Sequence, residues 1–116
     1  DEISLSGETL VGELKDGSVR EYVVHPSDFG LPVYDARALR VADRDESVQR
    51  INSALANDEG PVRDVVLLNA GAALYSAGVA PSIADGVKLA AEAVASGRAR
   101  QKLAQFVEVT NKLAKA

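Results

Sequence analysis

Thr9-Leu10-Val11-Gly12-Glu13-Leu14-Lys15-Asp16-Gly17-Ser18-Val19-Arg20-Glu21-Tyr22-Val23-Val24 is the stretch on which the fold reading turns. Two runs of strand-forming residues, Thr9 to Leu14 and Val19 to Val24, flank Lys15-Asp16-Gly17-Ser18. Asp-Gly between such runs predicts a two-residue hairpin turn, because both central residues need positive φ and Gly17 adopts it without steric cost. Leu10, Gly12 and Leu14 alternate with Glu13 and Lys15, and Val19 and Val23 alternate with Arg20. One face of the hairpin is therefore expected to be half-buried.

Upstream, Ile3 to Leu5 is a short apolar stub, read as a strand and broken by Gly7; downstream, His25-Pro26 ends the second hairpin strand. Ser27 to Arg44 carries turn residues at its head and no firm period, which predicts a loop with one helical turn near Asp35 to Leu39. Asp45, or the residue before it, caps an expected helix running to about Asn57, with Val48, Ile51 and Leu55 on one face. Gly60-Pro61 restarts the chain, since proline suits the first turn of a helix, and Val62 to Ala77 follows as an almost wholly apolar helix stopped by Gly78. A helix apolar on most sides is buried. Gly71 inside it costs about 1 kcal/mol relative to alanine. With Ala70, Ala72 and Ala73 beside it, close helix packing is the expected compensation.

Ser82-Ile83-Ala84-Asp85 resembles a capping box and opens a helix whose core stripe is Ile83, Val87, Ala90, Ala91 and Val94, with Gly97 closing it. A last helix is expected from about Arg98 to Leu113, with Leu103, Phe106, Val107 and Thr110 at helical spacing and Arg100, Gln101, Lys102 and Glu108 left to water. The fold class that follows is α/β: a strand plus a β-hairpin, then about four helices packing on the sheet, all within one unit spanning residues 1–116. A three-strand piece capped by helices reads as the tail of a larger sheet, because a free parallel edge requires covering.

Composition narrows the function classes. The chain has 116 residues, 47% of them hydrophobic, which suits one globular core and not a disordered segment. No apolar run reaches the roughly 18 residues needed to cross a bilayer, and the absence of cysteine makes the cytoplasm the default compartment. A formal charge of −4 argues against nucleic acid or anionic lipid as partners, since such binding rests on a positive field. The chain contains no methionine and begins at Asp1, and the expectation is a piece cut from something longer.

Asp1-Glu2 is the adjacent carboxylate pair that stands against a strand-like segment. Hard oxygen ligands of this kind suit a magnesium ion held partly through waters and substrate phosphates; the same dipeptide also suits a solvated chain end. Asp43-Arg44-Asp45-Glu46 and Asn57-Asp58-Glu59 lie at helix ends and are read as structural. His25 has no cysteine nucleophile or triad partner and is assigned no role, and Arg98, Arg100 and Lys102 read as a solvated face. The glycines are dispersed, and no Gly-rich phosphate loop of either standard spacing occurs.

Taken together, Asp1-Glu2-Ile3-Ser4-Leu5, Val11-Gly12-Glu13-Leu14-Lys15-Asp16-Gly17, Pro26-Ser27-Asp28-Phe29-Gly30-Leu31 and Val66-Leu67-Leu68-Asn69-Ala70 resemble, in order and spacing, the C-terminal region of the anthranilate phosphoribosyltransferase family. The likeness runs from Asp1 to about Lys102, with a departure at Glu46-Ser47-Val48 that touches a helix start and no chemistry. It implies a homodimeric glycosyltransferase of tryptophan biosynthesis with a small helical N-terminal domain and a larger α/β domain, of which this chain is the C-terminal part. Such an enzyme moves phosphoribose from phosphoribosyl pyrophosphate to the amino group of anthranilate with release of pyrophosphate. It further implies that Asp1 and Glu2 hold the cofactor Mg2+, whose charge offsets that of the leaving diphosphate. The phosphate loop and the residues facing anthranilate belong upstream in that family, so no catalytic or substrate-binding residue is assigned here, and the 116-residue piece is expected to be inactive alone. Two alternatives stay open: a related nucleoside-phosphorylase-like homologue, and a non-enzymatic interaction module that buries its apolar helix against a partner.

Overall fold

The computed structural model describes residues 2–116. Strands β1 (Thr9–Lys15) and β2 (Ser18–Val24) form an antiparallel hairpin. Helices α1 (Arg44–Leu55), α2 (Pro61–Ser76), α3 (Ile83–Ala95) and α4 (Arg98–Ala114) follow. The hairpin turn is as expected: Asp16 and Gly17 have φ of 51° and 77°, and Lys15 pairs with Ser18.

The third strand is not formed. Among the described residues the sheet is the two-stranded β1-β2, and Ile3–Leu5 joins no ladder. The physical reason lies in its partners. The Ile3 N–H and C=O are both taken by the side-chain amide of Asn69, and the Leu5 carbonyl accepts from the Tyr34 N–H at 3.0 Å. The stub is bonded to a side chain and a loop, not to a neighbouring strand.

The core is the α2–α3 pair. Leu67 and Leu68 of α2 and Val87, Ala90 and Val94 of α3 are buried, and Leu5 of the stub packs among them. This is the stripe the helical spacing predicts. The compensation expected for Gly71 is also present and is mutual. A Cβ on Gly71 would stand 2.5 Å from the Val87 backbone nitrogen, and one on Gly86 would stand 2.1 Å from the Gly71 carbonyl oxygen. The two glycines let the helix backbones touch, which no other residue type permits at that spacing.

Helix ends are set by side-chain oxygens. Ser82 accepts from the Asp85 N–H at 3.1 Å, while its hydroxyl donates to the Asp85 carboxylate at 2.8 Å, which with Lys88 holds that carboxyl below its usual range. The α1 cap is Asp43, just upstream of the two expected positions, Arg44 and Asp45. Its carboxylate accepts from the Glu46 N–H at 2.8 Å and Glu46 reaches back to the Ala42 N–H at 2.7 Å. The segment read as plain loop contains a 3-10 turn at Pro26–Phe29. His25 caps it, with the Ser27 N–H donating to the imidazole Nδ1. The turn expected near Asp35 to Leu39 is present as Ala36–Leu39, capped by Asp35.

Three apolar faces run against expectation. On the hairpin the half-buried face carries Thr9, Val11, Glu13, Tyr22 and Val24, while Leu10, Leu14, Val19 and Val23 point outward, with Leu10 71% and Leu14 74% exposed. In α1 it is Ala54 that is buried, and Val48 and Ile51 are exposed. In α4 Leu103 is partly covered, whereas Phe106 and Val107 are exposed. The helices therefore pack chiefly on one another and not on the outer face of the hairpin. No helix among the described residues is long and apolar enough to cross a membrane.

Candidate functional site

Of the two residues expected to hold a metal, Asp1 lies outside the described residues, and Glu2 is exposed at the head of the Ile3–Leu5 stub. Glu2 borders a cleft of about 220 Å³ that Ser4, Tyr34, Asp35 and Leu39 also line. Among the described residues no group of three or more His, Cys, Asp or Glu side chains comes together as a metal cage. An exposed carboxylate without such a cage fits magnesium in one particular way. That ion keeps several waters and is held by one or two carboxylates together with substrate phosphates, in contrast to a site built entirely from protein.

What fixes this end of the chain is Asn69, on the third turn of α2 and 66 residues away in sequence. The Ile3 N–H donates to Asn69 Oδ1 at 2.9 Å, and Asn69 Nδ2 donates to the Ile3 carbonyl at 3.0 Å and to the Val65 carbonyl at 3.0 Å. One amide thus makes two complementary bonds to a single residue, as a neighbouring strand would. The Ser4 N–H adds a bond to Thr9 Oγ1 at 3.1 Å, which joins the stub to the start of β1. The sequence alone assigns Asn69 no role. The available signal is a polar side chain in the middle of an otherwise apolar, buried helix, where an amide persists only with partners.

A second tie sits deeper along the loop. Tyr34 donates its hydroxyl to Asp64 at 2.9 Å, and the Arg63 guanidinium stands 3.3 Å from the other carboxylate oxygen. Asp64 is the buried charged residue of the described chain, at 3% exposure, and it lies in the first turn of α2, where the helix N-terminus favours an anion. The hydrogen bond to this carboxylate pushes the Tyr34 phenol up from its usual range. The loop that carries the Leu5 partner is thereby anchored to the same helix as the stub.

On the other side, a groove of about 620 Å³ separates β1 from the end of α2 and the start of α3. The Tyr75 hydroxyl donates to Glu13 across it, Arg20 pairs with Glu13 at 2.8 Å, and the Lys15 ammonium lies 5.6 Å from the Tyr75 ring centre. The Tyr75 hydrogen bond first, and Arg20 second, hold the Glu13 carboxyl below its usual range. The two Tyr75 contacts join the hairpin to α2, while the Arg20–Glu13 pair braces one strand against the other.

The chain belongs to the glycosyl transferase family, a/b domain, whose profile matches residues 1–100. Within that family it is similar to anthranilate phosphoribosyltransferases. It is 71% identical over 113 residues to the one from Methylibium petroleiphilum, covering 97% of this chain and 33% of that protein. It is 69% identical over 110 residues to the one from Leptothrix cholodnii, covering 95% and 32%. Among solved structures, that of anthranilate phosphoribosyltransferase from Thermus thermophilus superposes with a TM-score of 0.83 at 37% identity, over 93% of this chain and 32% of that one. The chain spans about a third of the length of these relatives.

Proposed function

We propose that this chain is the C-terminal part of an anthranilate phosphoribosyltransferase and contributes Asp1 and Glu2 to a magnesium site shared with the diphosphate of phosphoribosyl pyrophosphate. The observation that supports the reading is the 71% identity, sustained over nearly the whole chain, to a relative bearing that name. In the reaction the anthranilate amine supplies its lone pair to the anomeric carbon. The carbon–oxygen bond to pyrophosphate breaks with its electron pair leaving on pyrophosphate, and the new nitrogen–carbon bond sheds one proton to water. Magnesium, when bound, offsets negative charge on the departing diphosphate. The residues of this chain present a solvent-facing Glu2 on a stub whose backbone is fixed by Asn69 and Thr9. The remaining machinery belongs to the two-thirds of the relatives' length that this chain does not span. On this reading the working protein is a cytoplasmic homodimer of the tryptophan pathway.

The test is a transfer assay with phosphoribosyl pyrophosphate, Mg2+ and anthranilate, following loss of anthranilate fluorescence. The polypeptide that carries this segment together with its upstream part is expected to turn over, and the 116-residue chain alone is not. Phosphorolysis of a nucleoside by the longer polypeptide, without consumption of anthranilate, would instead favour the phosphorylase-like alternative.

A further inference from the structure

We infer that Asn69 is a positioning residue for Glu2, a role that rests on the magnesium reading proposed above. The Ile3 N–H belongs to the peptide plane shared with Glu2, and the Ile3 C=O belongs to the plane shared with Ser4, and each plane is rigid. Asn69 grips both, at 2.9 and 3.0 Å, so the backbone on which the Glu2 side chain is mounted cannot rotate about either plane without breaking a bond. The grip itself is oriented. The second Nδ2 hydrogen is committed to the Val65 carbonyl one helical turn back at 3.0 Å, which fixes the amide so that Oδ1 faces the Ile3 N–H. Leu5, at 2% exposure inside the α2–α3 core, pins the far end of the stub.

No other side chain of similar size reproduces this. Aspartate keeps the acceptor for the Ile3 N–H but sets a charge against the Ile3 and Val65 carbonyls, and leucine keeps the volume and loses every bond. Outer residues that orient metal ligands alter affinity without touching the ion, and Asn69 stands in that relation to Glu2.

The test reads the metal and not turnover. In the longer polypeptide that carries this segment, Mn2+ replaces Mg2+, phosphoribosyl pyrophosphate is present, anthranilate is omitted, and bound Mn2+ is followed by its electron paramagnetic resonance signal. Asn69→Leu is expected to weaken Mn2+ binding about tenfold, whereas Ala54→Gly, which loosens buried α1 without touching the stub, leaves it within about twofold. Equal losses from the two variants would reduce the effect to general destabilisation and overturn the inference. If the leucine variant does not fold, Asn69→Asp serves in its place, and an unchanged Mn2+ signal with it overturns the inference as well. Glu2→Gln separates the two levels. A loss with Glu2→Gln and none at Asn69 removes only the positioning role, while no loss with Glu2→Gln removes the magnesium reading and this inference with it.

Discussion

The α2–α3 pair and the β1–β2 hairpin both carry regular apolar patterns, with opposite fates. Leu67, Leu68, Val87, Ala90 and Val94 are buried against one another, with two glycines bringing the helix backbones into contact. Leu10, Leu14, Val19 and Val23, equally regular in their alternation, face outward, and Glu13 and Lys15 of the hairpin meet Tyr75 of α2. One region completes its own core; the other buries Val24, adds a polar tie at Tyr75, and leaves its more apolar face uncovered. Periodicity shows which residues share a face, but which face is buried depends on what else is present to cover it.

The sharpest way to break this contrast is at the helix crossing. Gly86→Ala places a methyl 2.1 Å from the Gly71 carbonyl oxygen, and the obstacle is backbone, which cannot swing aside as a side chain can. The expected loss is about 3 kcal/mol of folding stability, read as a lower urea midpoint with an unchanged slope. Gly12→Ala is the matching change on the hairpin. Nothing lies within 4 Å of a Cβ there, and the expected effect is within about 0.5 kcal/mol. Equal effects at the two sites would mean that the α2–α3 backbones do not touch.

Next in size is the polar tie. Glu13 has its carboxyl held below the usual range by Tyr75 and Arg20, so the folded hairpin favours the ionised form more than the unfolded chain does. The contribution is complete above the ordinary glutamate value of about 4.3 and is lost as pH falls through the lower folded value. Amide exchange on β1 and β2 should therefore speed up in acid relative to the exchange of α2. Tyr75→Phe removes the hydroxyl and should flatten much of that dependence while α2 remains protected. A hairpin that loosens in acid equally with and without the Tyr75 hydroxyl would place the tie elsewhere.

The same contrast separates what the sequence made legible from what it did not. The hairpin turn, the α3 stripe and the Gly71 contact follow from local chemistry: positive φ at Asp16-Gly17, spacing of three and four in α3, and small residues beside Gly71. The buried faces of the hairpin, α1 and α4 do not, because burial is a relation to other elements. In α1 the side chain of Arg50 reaches the Ala38 carbonyl at 2.7 Å, and the helix turns Ala54 inward in preference to Val48 and Ile51. At the candidate site the acidic dipeptide is visible in the sequence, whereas the role of Asn69 is not, since its partner lies 66 residues away and nothing local announces the pairing. A lone amide in an apolar helix is a signal that a partner exists, without saying which.

The smallest expected effect sharpens the comparison most, because it changes with context. Leu14→Thr on the outer hairpin face removes apolar surface that is 74% exposed, and threonine retains strand propensity through its β-branch. In the 116-residue chain the change should move stability by no more than about 0.5 kcal/mol. Exposed leucine gains nothing from a solvent it already faces, so there is little transfer energy to lose. If the proposed upstream part covers this face, the same leucine in the longer polypeptide is buried, and its loss should cost about 1.5–3 kcal/mol, the usual worth of a buried aliphatic side chain. Urea unfolding of Leu14→Thr in both lengths gives the difference directly. A cost that rises with the longer chain assigns the hairpin face to an interface with upstream residues. A cost that stays small in both makes the uncovered face a permanent surface, and the hairpin is then held by its inner face, with Val24 buried and Glu13 bonded to Tyr75.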